Sequence, residues 1–293
     1  MSDNTLFHRR RALSAHELAT IPWIHLLTPQ ERQRAEEDLK VTEASAGDYL
    51  CRTGRPVTYW FGVVDGLLKM SSDNAEGKTM TFTGVPPGGW FGEGTALKRE
   101  TYRYNIQALR KSTVAGLHVD TFHWLLDHSI GFNRFVMKQL NERLGQFIAA
   151  REIDRMTNPD IRVARSLASL FNPVLYPGVG AVLRITQQEL AYLVGLSRQR
   201  VNEALTNLAN QGCIQLTCSR RNRRCYKTRR PRILVSAIFS QRALQATTQS
   251  HGLANLATGN VVLVRRQGHS GQDADDRHND HQFDQGKTLL HGT

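Results

Sequence analysis

Long apolar runs are missing from this chain. No stretch of about 18 consecutive apolar residues occurs, so no membrane-spanning helix is expected. The opening residues, MSDNTLFHRRRALSAHEL, lack the apolar core of a secretion signal. Cysteine is scarce: four in 293 residues do not make a disulfide framework, and a reducing cytoplasm is the expected setting. Cys213, Cys218 and Cys225, taken with His278 and His281, lack the paired C-x2-C spacing of structural zinc sites, so no metal is expected. Histidine is absent from residues 46–117, which removes the ligand set a metal-dependent β-roll enzyme would need. No nucleophile–base pairing is visible either, and the chain does not read as an enzyme. Acid is short relative to base: Lys and Arg number 38 against 26 Asp and Glu, a net charge of +12. That balance suggests a polyanionic partner, nucleic acid among others.

What is present centres on Thr186 to Ile214, TQQELAYLVGLSRQRVNEALTNLANQGCI. Thr186 followed by Glu189 is a capping box that opens one helix. Gly195 stops it where the chain needs positive φ. Ser197 caps a second helix, expected to run to about Leu208. Leu190, Leu193, Val194, Val201, Leu205 and Leu208 supply a shared core, with Ala191, Gly195 and Val201 at the crossing. Arg198, Gln199, Arg200, Asn202 and Glu203 cluster in the first two turns of the second helix, the part of a helix-turn-helix that reaches base edges. Arg suits guanine O6/N7, and Gln or Asn suits adenine N6/N7. The expected DNA-facing set is therefore Thr186, Gln187, Ser197, Arg198, Gln199, Arg200, Asn202 and Glu203. A helical hairpin with a solvated polar face is the alternative.

Taken in order, residues 1–27 are a basic lead whose Arg9-Arg10-Arg11 run reads as a solvated tail. Thr28-Pro29-Gln30-Glu31 starts a helix that runs to about Leu39. From Ala46 to Leu117, glycines punctuate short β-branched and aromatic runs, including Tyr59–Val64, Leu67–Ser71 and Thr79–Thr83, the pattern of an antiparallel β-roll. Within it, PPGGWFGEG (residues 86–94) is a candidate ligand-binding turn: its glycines admit close backbone approach, the short helix after it offers an N-terminus, and Glu93 offers acceptors to ribose hydroxyls. A tight β corner is the competing reading. Ser129 to about Met156 is a long helix with Phe132, Phe135, Val136, Leu140, Leu144, Phe147 and Ile148 along a stripe. At about 25 residues and roughly 38 Å, it outruns a small roll, and a homodimer is expected. Thr157-Asn158-Pro159 is a candidate hinge, with Asp160 capping a helix to Phe171 that buries Val163, Leu167 and Leu170. Residues 172–180 form a loop, and Val182–Ile185 a short strand. The expected domains are 28–127 (β-roll), 128–157 (long helix), 158–217 (helix-turn-helix) and 218–293 (tail).

The order of β-roll, long helix, hinge and helix-turn-helix resembles the bacterial Crp/Fnr regulators over roughly residues 20–216. The resemblance rests on Pro87-Gly88-Gly89-Trp90-Phe91-Gly92-Glu93, the long helix, Ile185–Glu189 and Val194–Gln199. It implies an α+β fold with a winged helix-turn-helix, a homodimeric regulator reading a palindrome in double-stranded DNA, a sensing roll and contact with RNA polymerase. Arg198, Gln199 and Glu203 match the family's base-reading positions. Gly92, Glu93, Gly94, Tyr102 and Arg103 correspond to its effector site. Members that bind cyclic AMP carry an Arg-Ser pair where Tyr102 and Arg103 stand, and hydroxyls on the long helix where Phe147 and Ile148 stand. Losing the charge-assisted phosphate contact costs about 1.5–3 kcal/mol, so a cyclic nucleotide is disfavoured, with Arg103 the alternative donor. An iron–sulfur sensor needs several N-terminal cysteines, and this chain has Cys51 alone there.

From Cys218 the chain departs from the family's β-hairpin wing. Residues 218–232 carry Arg220, Arg221, Arg223, Arg224, Lys227, Arg229, Arg230 and Arg232 without an acid, and residues 268–293 read as disordered. A reading-frame change is one explanation. The rival functions are a non-specific nucleic-acid binder driven by this basic run and a ligand-binding module acting through protein contacts.

Overall fold

The computed structural model describes residues 10–74, 77, 79–153, 158–218 and 233–236. These residues fall within one unit, Met1–Leu244. The basic run from Arg220 to Arg232, Cys225, Arg9, Thr157, Met156, His278, His281 and the tail lie outside them.

The roll is two four-stranded antiparallel sheets. One takes the order β1 (Lys40–Ala44), β8 (Ser112–His118), β3 (Tyr59–Asp65), β6 (Trp90–Phe91); the other β2 (Tyr49–Cys51), β7 (Asn105–Ala108), β4 (Leu68–Asp73), β5 (Thr79–Val85). Alternation sends Phe61, Val63, Leu68, Ile106 and Val114 inward, which is how a period of two builds a core between sheets.

The lead is more than a tail. Arg11 and Val41 exchange backbone hydrogen bonds at 2.9 and 3.1 Å. Ser14 and Glu17 form a capping box on α1 (Ala15–Ala19), and Arg11 pairs with Glu17. Trp23 is fully buried among Trp60, Trp90 and Phe132, with ring centroids 5.2–5.7 Å away. Burying an aromatic cluster removes enough apolar surface from water to hold the segment down. Thr28 caps α2 (Pro29–Asp38), as its sequence requires.

After β8 come α4 (Val119–His128) and the long helix α5 (Ile130–Ile153). The expected stripe divides along its length. Phe132 and Val136 are buried against the roll, whereas Leu144 and Ile148 are each 57% exposed and Phe147 is exposed with them. The roll's apolar core covers the first turns, and its contact farther along runs through Arg143. The next helix, α6 (Pro159–Leu170), is capped by Asn158 rather than Asp160, because Pro159 takes the first helical position. It buries Val163, Leu167 and Leu170.

β9 (Val182–Ile185), α7 (Gln187–Val194) and α8 (Arg198–Asn210) follow. β10 (Gln215–Cys218) pairs antiparallel with β11 (Ile233–Ser236), and β11 pairs with β9. The expectation that Cys218 onward abandons the wing is thereby corrected. The strand partner lies beyond the Arg-rich run, in the short apolar stretch Ile233–Ser236.

Candidate DNA-binding interface and sensor roll

Three local devices shape the helix pair. Thr186 Oγ1 accepts from Glu189 N, and Glu189 Oε2 accepts from Thr186 N, at 3.1 and 2.6 Å. Gly195 ends α7 at φ +68°, a conformation that costs other residues a Cβ clash. Ser197 Oγ accepts from Arg200 N at 3.3 Å and opens α8. Leu190, Leu193, Val194, Val201, Leu205 and Leu208 are all buried, as the pattern demands.

On the opposite face Arg198, Gln199, Arg200 and Asn202 are exposed, with Glu203 partly so. Arg200 Nη1 reaches Glu203 at 2.7 Å, and Gln199 Nε2 at 3.3 Å. These two bonds hold the Glu203 carboxyl below its ordinary pKa. Gln187 on α7 accepts from Arg198 Nε at 3.3 Å and donates to Asn202 Oδ1. Gln187 thus lies against the start of α8, which Ser197 caps. Gln187, Arg198, Gln199, Arg200, Asn202 and Glu203 are linked by these bonds, with Gln187 and Glu203 half-buried, while the side chain of the half-buried Thr186 bonds within its own capping box.

The roll presents a different chemistry. Gly92 takes φ +88° and leads into α3 (Glu93–Lys98). Glu93 is buried, and its Oε1 accepts from Arg143 Nε of α5; Arg143 Nη2 also donates to the Trp90 carbonyl. Burial works against the Arg143 charge, but the adjoining carboxylate more than offsets it, and the guanidinium pKa is raised. Tyr102 is buried, donating through its hydroxyl to the Tyr59 carbonyl at 2.9 Å. Burial pushes its pKa up, as it does for Tyr104 and for the Cys51 thiol. Arg103 is exposed and paired with Glu100 at 3.1 Å. Gly94 is exposed. Of the predicted effector residues, Gly92, Glu93 and Tyr102 share one region, and Arg103 lies exposed beside Glu100.

Two family models match the chain: the cyclic nucleotide-binding domain over residues 41–129 and the Crp-like helix-turn-helix domain over residues 161–230. Together they take in more than half of its length, in the order the fold shows. The chain belongs to the Crp/Fnr family of transcription regulators.

This Crp/Fnr regulator is 27% identical over 172 residues to the cAMP-activated global transcriptional regulator CRP of Haemophilus influenzae, a match covering 56% of this chain and 75% of the relative. It is 29% identical over 178 residues to the transcriptional regulator SdrP of Thermus thermophilus, covering 58% and 82%. The structure of FixK2 from Bradyrhizobium japonicum shares its fold at a TM-score of 0.53 and 15% identity, over 70% of this chain and 95% of that one. The regulator therefore combines a cyclic nucleotide-binding-type sensor domain with a DNA-binding helix-turn-helix. Among its described residues no helix is long and apolar enough to cross a membrane.

Sequence reasoning missed Arg143 and Arg110. Each lies on an element read only for apolar periodicity or turn residues, and neither has a local partner.

Proposed function

We propose that this regulator works as a homodimer in the cytoplasm, reading a palindrome with the N-terminal turns of α8. The carrying observation is the exposed edge at Arg198, Gln199, Arg200, Asn202 and Glu203 on a helix whose opposite face is buried. Arg198 is assigned to a guanine edge, Gln199 and Asn202 to adenine edges, and Glu203 to a cytosine amine, by donor–acceptor complementarity. Thr186, Gln187 and Ser197 are assigned to backbone phosphates, which hydroxyl and amide groups can meet. The exposed Leu144 and Ile148 of α5 supply the self-association face, and RNA polymerase is the downstream partner.

The Haemophilus relative is named as cAMP-activated. We infer a different gate here. Tyr102 offers no cation to a cyclic phosphate, Arg103 engages Glu100, and Arg143 engages the Glu93 carboxylate. Saturating cyclic AMP is expected to leave the unfolding midpoint unchanged; a ligand that binds the native state raises it.

Selection of the full chain on a random duplex library, at fixed near-physiological salt, tests the main reading. An enriched palindrome lost in Arg198→Ala supports it. Equal affinity for cognate and random DNA in both proteins would overturn it.

A further inference from the structure

The roll and the helix-turn-helix share one apolar core. Where they meet, glycines bring the backbones together: a Cβ on Gly88 would lie 2.5 Å from Gly178 N, and one on Gly84 would lie 2.8 Å from Leu193 Cδ1. Such contacts permit closeness but fix little direction, whereas hydrogen bonds to a planar guanidinium are directional. Arg110, in the turn between β7 and β8, supplies that direction. Its Nη2 donates to the Gly66 carbonyl of the roll at 2.9 Å, and its Nη1 donates to the Arg184 carbonyl of β9 at 2.8 Å. The same Nη1 lies 3.5 Å from Glu189 Oε1. Glu189 is 7% exposed, and its other oxygen closes the capping box of α7. One guanidinium thus joins a roll turn, a wing strand and the carboxylate that starts the first helix of the reading unit.

We propose that Arg110 is a positioning residue for DNA reading, fixing the direction of α7 and α8 relative to the roll of their own protomer. This rests on the dimeric, palindrome-reading function above. Two half-sites about 34 Å apart are engaged together only when both reading helices leave the dimer body at a set angle. A single half-site makes no such demand. The reading residues Arg198, Gln199, Arg200 and Asn202 stay exposed while α7 is docked, so this docking does not bury them.

The test compares the full-length wild type, Arg110→Ala, Arg110→Lys and Glu189→Gln on the selected palindrome and on one isolated half-site, at matched salt. Arg110→Ala is expected to lose tenfold or more on the palindrome and less than twofold on the half-site. Its salt dependence is expected to stay at the wild-type slope, because Arg110 meets no phosphate. Arg110→Lys keeps the charge but not the fork, and should fall between the two. Glu189→Gln keeps a capping-box side chain and removes the ion pair but leaves both carbonyl bonds, so it gives a smaller, still palindrome-specific loss even if Arg110→Ala misfolds. Equal losses on both duplexes would reduce Arg110 and Glu189 to fold support and overturn the proposal. Unchanged or tighter palindrome binding would overturn it too. A wild type with no preference for the palindrome over the half-site would instead sink the dimeric reading, and the proposal with it.

Discussion

Arg143 on α5, itself half-buried, pairs with the buried Glu93 at the start of α3 and is also bonded to the Trp90 carbonyl. The bond joins the long helix to the floor of the sensor roll across 50 residues of sequence. Glu93 Oε2 has no hydrogen-bond partner among the described residues, so the carboxylate depends heavily on this one cation. Arg143→Met should cost about 3–5 kcal/mol in urea unfolding, because it strands a buried charge. Adding Glu93→Gln should recover much of that loss. If the double variant were as unstable as the sum of the two singles, the pair would not be coupled.

The glycine contacts between the two halves differ in kind, and the variants should differ with them. Gly84→Ala meets the movable ends of Leu193 and Leu170, and is expected to cost about 1 kcal/mol. Gly88→Ala meets the Gly178 backbone and must also hold φ +81°, which puts its cost nearer 3 kcal/mol. Denaturation midpoints order the two. The reverse order would mean that the roll and the loop carrying Gly178 do not touch as described.

Leu144 and Ile148 lie one turn apart on the exposed flank of α5. Changing both to Lys should cost each isolated protomer little, within about 0.5 kcal/mol per site, since neither side chain is buried within the chain. Self-association should be lost instead, and with it palindrome affinity. Sedimentation at micromolar protein reads the outcome directly. A variant that stays dimeric would place the interface elsewhere.

Glu17 offers a pH-dependent handle on the lead. The Arg11 hydrogen bond, helped by Ser14, lowers its carboxyl pKa from 4.5 to about 2. A lowered folded-state pKa means stability that is fully present above 4.5 and lost as pH falls through about 2. Glu17→Gln should therefore show a flatter stability profile than the wild type between those values, and the two curves should converge at the acid end. Parallel curves would show that the pairing contributes nothing.

The DNA-reading unit was legible in the sequence because its devices are local. A capping box closes over three residues, a left-handed turn is written as Gly195, and the buried leucines repeat at the period of a helix. Each is fixed by backbone geometry, whatever the rest of the chain does. The alternation and punctuation of the roll are local in the same sense. Tertiary structure alone decided which distant groups meet. Arg110 finds Glu189 across 79 residues, and Arg143 finds Glu93 across 50. Trp23 leaves an unpatterned lead for an aromatic core, and β11 completes the wing sheet from beyond an Arg-rich run. A charge or a lone aromatic carries no period and no spacing rule. Its partner is set by how two remote segments are brought together, and that is a property of the folded chain.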